Sequence, residues 1–138
     1  MTSKTYQKQS ITSPMKSNLD QANEFRNAFG VKNSKALNVR TMQRNLIVEE
    51  FIEFLEAERM LFRDTLCLLE EAIKELSDLV YVCYQYAANM GWDLDEALHR
   101  VHKSNMSKLG EGGKPIYRED GKVLKSKNYK PPTLSDLV

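Results

Sequence analysis

Apolar residues recur every three to four positions along most of this chain, and polar runs at 30–36, 63–65 and 91–93 interrupt the rhythm. That period is the signature of amphipathic helices rather than strands. Leu19, Ala22, Phe25 and Phe29 mark a first helix, which Ser17 or Asn18 can cap and Gly30 stops. After a polar loop at 31–36, a second helix runs from about Leu37 to Phe62, striped by Ile47, Val48, Phe51, Phe54 and Leu55. Arg63, Asp64 and Thr65 form a break, with Asp64 or Thr65 as the next cap. The third helix spans about Leu66 to Met90, with the stripe Leu69, Ile73, Leu76, Val80, Cys83 and Ala87, and Gly91 ends it. Asp93 with Glu96 three residues on is a capping box for a fourth helix, whose inner face is Leu94, Ala97, Leu98 and Val101.

Beyond Gly110 the helical signals stop. Glu119-Asp120-Gly121 between Ile116-Tyr117 and Val123-Leu124 predicts a short hairpin, and Pro131-Pro132 excludes a helix there. Leu134, Leu137 and Val138 are placed to pin the tail to the body. The expectation is an all-α bundle of four to five helices with a short C-terminal hairpin arm. Helices this short hide their stripes better as a dimer. The divisions expected are a flexible polar segment at 1–17, a helical catalytic domain at 18–109 and a basic arm at 110–138.

A chain of 138 residues is the size of one domain and buries enough surface to fold without a disulfide or structural metal. Cys67 and Cys83 lie within apolar helical patterns and read as buried thiols of a reducing compartment. The N-terminus has no apolar signal region and no stretch is long enough to cross a membrane, so a soluble, cytoplasmic protein is expected. Net charge is +1, which calls for no nucleic-acid partner. The distribution is less even: residues 49–78 are rich in acids, and Lys103, Lys108, Lys114, Arg118, Lys122, Lys125, Lys127 and Lys130 fill the C-terminal part.

The acids carry the chemistry. Glu50 and Glu53 lie one turn apart on the second helix, with Glu49 beside them, and Glu50 falls at the edge of the apolar stripe. On the third helix Glu71, Glu75 and Asp78 line up at spacings of four and three. Like charges so placed cost about 0.2–0.5 kcal/mol per pair, and more at the rim of a core. A cation held between the two helices would relieve them. Four hard carboxylate donors suit Mg²⁺ or Mn²⁺ and not zinc, which takes His or Cys. The alternative is a solvated acidic face with Glu70–Lys74 and Lys74–Asp78 ion pairs. On the fourth helix the stripe continues onto Asn105 and Lys108, which either line a polar pocket, with Lys108 meeting a phosphate, or face water where the helix leaves the body near Ser104. His99 and His102 have no triad partner visible in sequence.

Glu49-Glu50-x-x-Glu53, followed after residues 54–74 by Glu75-x-x-Asp78, resembles the EExxE…ExxD signature of the MazG-like all-α NTP pyrophosphohydrolases, a superfamily that includes the phosphoribosyl-ATP pyrophosphohydrolases. Ser104-Asn105-Met106-Ser107-Lys108, Gly113 to Tyr117 and Asp120 to Leu124 are similar to short stand-alone bacterial and phage members. The resemblance implies a helical bundle assembling as a homodimer or a dimer of dimers. It implies Mg²⁺, with Mn²⁺ as a substitute, held by Glu50, Glu53, Glu75 and Asp78, with Glu49 in support. Asn105 and Lys108 would contact a nucleoside triphosphate, and Lys114 and Arg118 of the arm would close over it. The implied reaction releases pyrophosphate from a (deoxy)nucleotide, a purine such as dGTP first. The alternatives are phosphoribosyl-ATP as substrate, or a non-catalytic helical dimer that binds a protein or nucleic acid.

Overall fold

The computed structural model describes residues 15–63 and 65–138. Most of the expected N-terminal segment lies outside the described residues, as does Asp64, one of the two expected caps. Four α-helices follow one another among the described residues: α1 (Asn18–Ala28), α2 (Leu37–Arg59), α3 (Leu66–Met90) and α4 (Leu94–Met106). Ser17 caps α1, its Oγ accepting from the Asp20 N–H at 3.1 Å, and Gly30, at φ +63°, turns the chain out of it. Asp93 caps α4 by accepting from the Glu96 N–H at 3.0 Å. α2 ends three residues before the pattern predicts, because Met60–Arg63 tightens into a 3₁₀ turn ahead of the reversal into α3.

α2 and α3 pack as an antiparallel hairpin, α1 lies on α3, and α4 touches mainly α1 and the C-terminal 3₁₀ turn Ser135–Leu137. The small apolar core, Ala22, Tyr84 and Ala88 with Leu19 and Leu94 against them, sits where α1 covers α3. The α3 stripe therefore divides. Ala87 is buried and Cys83 half-buried, while Leu69, Ile73, Leu76 and Val80 remain 44–65% exposed. Length explains the split: at 1.5 Å per residue α3 runs about 37 Å and α1 only about 16 Å, so α1 can cover one half of it. Cys67, at the uncovered end, is exposed rather than buried.

The arm follows the hairpin reading. β1 (Ile116–Tyr117) pairs antiparallel with β2 (Val123–Leu124), in the register Ile116 to Leu124. Hydrogen bonds tie the arm to the body, with Leu134 and Leu137 half-buried and Val138 exposed. Ser104 Oγ donates to the Lys130 carbonyl at 2.7 Å, and the Asp93 N–H donates to the Leu137 carbonyl at 3.1 Å. Arg100 grips Asp136 with two nitrogens at 2.6 and 2.9 Å.

Candidate metal centre

Antiparallel packing sets Glu50 of α2 opposite Glu75 and Asp78 of α3. One carboxylate oxygen from each lies within 4.8 Å of the other two. Glu75 is buried and the other two are half-buried. Lys74 reaches the outer side of this group, its Nζ 3.0 Å from both Glu75 Oε1 and Asp78 Oδ2. So the Lys74–Asp78 ion pair anticipated for a solvated face does form. It leaves the inner side unexplained: Oε2 of Glu50 and Oε2 of Glu75 are both buried and without a hydrogen-bond partner. An unsatisfied buried acceptor costs about 1–3 kcal/mol, and more when charged.

Electrostatics follow the same division. Burial, then the charges of Glu53 and Asp78, pushes the Glu50 carboxyl above its usual range. The Lys74 ammonium beside Glu75 holds that carboxyl below it. A divalent cation among these oxygens would satisfy the orphaned atoms and offset the repulsion. The donors are all hard carboxylate oxygens, so the residues present fit Mg²⁺ or Mn²⁺.

Glu53 is exposed one turn beyond Glu50, near enough to raise its pKa, and Glu49 is exposed on the same turn of α2. The other expected contacts are not gathered here. Asn105 is exposed and Lys108 half-buried at the end of α4. Lys114 is exposed, and exposed Arg118 pairs with Asp120 in the hairpin loop. Among the described residues, none of these four forms a hydrogen bond or ion pair with the acidic cluster.

Sequence reasoning missed a second polar group higher in the same seam. Arg26, only 2% exposed, donates to Asn33 Oδ1 at 2.6 Å, to the Oε1 atoms of Gln43 and Gln85 at 3.4 and 3.3 Å, and to Asn89 Oδ1 at 3.0 Å. Burial lowers its pKa, and its partners among the described residues are neutral. The signal was available: Ala22 and Arg26, and likewise Gln85 and Asn89, are four apart on faces that also carry core residues. Below this group lies a cavity of about 270 Å³, lined by Phe25, Arg26, Met42, Gln43, Tyr81 and Gln85 and floored by Leu46 and Val82. Leu46 is one turn before Glu50 and Val82 one turn after Asp78, so the cavity adjoins the acidic cluster.

Two antiparallel helices facing carboxylates across a seam make this an all-α helical protein with a carboxylate cluster that could hold a metal ion. The chain belongs to the phosphoribosyl-ATP pyrophosphohydrolase family, whose profile matches residues 24–105 and so takes in the acidic cluster and the cavity. It is also similar to the uncharacterized protein L479 of Acanthamoeba polyphaga mimivirus, at 34% identity over 52% of this chain and 45% of the viral protein. The chain thus spans less than half the length of that relative. No helix among the described residues is long and apolar enough to cross a membrane.

Proposed function

We propose that this protein is a Mg²⁺-dependent nucleoside triphosphate pyrophosphohydrolase, cutting the α–β phosphate bond of a (deoxy)nucleotide to give monophosphate and pyrophosphate. The observation that carries the reading is the pair of buried, unpartnered oxygens on Glu50 and Glu75 in a family of pyrophosphohydrolases. Glu50, Glu75 and Asp78, with Glu53 at the rim and Glu49 in support, hold the cation. Bound there, Mg²⁺, or Mn²⁺ in its place, supplies neutralisation of phosphate charge and a more acidic water for in-line attack.

The chain's own residues do the rest. The carboxylates would hold the cation that neutralises the triphosphate, and the apolar walls of the adjoining cavity take the base and exclude water around it. Gln43 and Gln85 stand seven residues from Glu50 and Asp78, about 10 Å along the helix axes, which matches the reach from an α-phosphate through the sugar to a base. A purine deoxynucleotide such as dGTP is the first substrate to test.

Asn105, Lys108, Lys114 and Arg118 complete the nucleotide contacts in this reading, delivered by a second subunit. The bare apolar half of α3 supports a homodimer, or a homotetramer built from two, because Leu69, Ile73, Leu76 and Val80 form a continuous exposed strip. Phosphoribosyl-ATP is the second substrate reading, favoured by the family's own description.

The test is pyrophosphate release from the common NTPs and dNTPs and from phosphoribosyl-ATP, with Mg²⁺ and with EDTA, for the wild type and Glu53→Ala. Metal-dependent pyrophosphate that vanishes in the variant is expected. Orthophosphate would mean that another bond is cut. No turnover on any substrate would favour the non-catalytic helical dimer.

A further inference from the structure

Arginine carries five N–H donors and no acceptor, so any amide packed against its guanidinium must turn its oxygen toward it. Arg26 faces two such amides, Gln43 and Gln85, and their Oε1 atoms lie 3.4 and 3.3 Å from its Nη1. The orientation of both glutamines follows from this chemistry. Their nitrogens meet different surroundings. Gln85 Nε2 donates to the Ala22 carbonyl at 3.4 Å and is satisfied. Gln43, only 4% exposed, lines the cavity, and its Nε2 has no protein acceptor among the described residues. A donor of fixed orientation, on a side chain that lines the cavity, is thereby left without a protein partner beside the acidic cluster.

We propose that Arg26 is a positioning residue that locks the Gln43 amide with its N–H₂ toward the cavity, and that Gln43 thereby selects a nucleobase presenting a keto oxygen. The inference rests on the pyrophosphohydrolase reading for its ligand, and it adds the class of base. Guanine carries a carbonyl where adenine carries an amine, and uracil and thymine carry one where cytosine carries an amine. A keto oxygen completes the hydrogen bond of Gln43. An exocyclic amine would set donor against donor and leave both unsatisfied inside an apolar enclosure. Arg26 prevents the escape that a free glutamine has, a flip of its amide that would present oxygen instead. It can do so without attracting an anion into the pocket, since its acceptors Asn33, Gln43, Gln85 and Asn89 occupy it on every side.

The experiment is calorimetric binding of deoxynucleoside monophosphates to the full chain, which needs no turnover. Wild type is expected to bind dGMP about tenfold more tightly than dAMP, the size of one hydrogen bond. Gln43→Glu should pair with Arg26, offer the cavity only an acceptor, and move the preference toward dAMP. Arg26→Lys, which cannot hold both oxygens, should bring the ratio toward one. A purely structural role for Arg26 would weaken both ligands equally and leave the ratio unchanged. The monophosphate of 2-aminopurine deoxyriboside lacks the keto oxygen of guanine and carries a bare N1 in place of N1–H; compared with the inosine monodeoxynucleotide, which keeps both O6 and N1–H, it tests the same contact in the unaltered protein, whether or not the variants fold. Equal affinity for it and for dGMP would overturn the proposal, as would an unchanged ratio in a folded Gln43→Glu. Keto preference without pyrophosphate release would sink the hydrolytic reading and leave the base reader standing. Turnover that is indifferent to the base would do the reverse.

Discussion

Two buried polar groups share the seam between α2 and α3, about two helical turns apart, and they are built on opposite terms. Around Arg26 a single cation is surrounded by acceptors: Asn33, Gln43, Gln85, Asn89 and the Lys32 carbonyl. Around Glu50 and Glu75 several carboxylates approach one another, and their inner oxygens accept from nothing. In the first arrangement the arginine is fully matched and ties α1, the 31–36 loop, α2 and α3 together, with only the Gln43 Nε2 left over toward the cavity. The second is incomplete, its two buried oxygens open to a cation that would satisfy them. Burial of charge alone does not separate a structural cluster from a working one; the state of its partners does.

The contrast can be broken most directly at Glu50. Glu50→Gln should lower metal-dependent pyrophosphate release by on the order of 10²–10³-fold and at the same time raise the melting temperature in EDTA, because a desolvated carboxyl crowded by Glu53 and Asp78 becomes neutral. A variant that loses activity and also melts lower would show that the cluster is not strained. At the complete group the sign reverses. Asn89 accepts from Arg26 and from the Ser34 N–H, both at 3.0 Å, and donates to the Ser34 carbonyl at 2.9 Å. Asn89→Ala should therefore cost about 3 kcal/mol of stability, roughly 1 per hydrogen bond, as read from urea unfolding.

A control on that figure lies two residues away. Gly91 closes α3 at φ +74°, and a Cβ there would meet nothing within 4 Å. Gly91→Ala should thus cost only the left-handed backbone strain, about 1 kcal/mol, which separates disturbance of the helix end from loss of the network. The smallest effect is expected in acid. Arg100 holds the Asp136 carboxyl below its ordinary range, so this pair contributes above the unfolded aspartate value near pH 3.9 and is lost as pH falls through the lower folded value. Amide exchange at Asp93 and Leu137 should quicken there, while the Arg26 network, which contains no titrating acid, stays protected.

Much of this was legible in the chain. The bounds of α3, the Asp93 cap and the two strands of the hairpin all follow from short-range signals: an apolar period, a side chain that bonds its own backbone, turn residues between apolar pairs. Glu50 and Glu75 stood out because they fall at the edge of an apolar stripe, and Glu53 and Asp78 because each lies three residues beyond one of them. What escaped was the network that depends on three segments meeting. The spacing of Arg26 from Ala22, and of Asn89 from Gln85, puts each on a core-bearing face, but nothing near Arg26 in sequence announces that Gln43, Gln85 and Asn89 will surround it. The exposed half of α3 escaped for a related reason. Periodicity reports that Leu69, Ile73, Leu76 and Val80 share a face; it does not report how far a neighbouring helix reaches.

The burial of Arg26 has a consequence for the order in which the helices can assemble. Its guanidinium can leave water only when the Lys32 carbonyl, Asn33, Gln43, Gln85 and Asn89 are already in position, because no anion waits to take its charge. The α2–α3 hairpin can close from contacts near in sequence, whereas α1 must find a receptor with every acceptor set. Docking of α1 is then the expected late step, and stopped-flow refolding of Asn89→Ala, which removes one acceptor of the receptor, should be slower than that of the wild type.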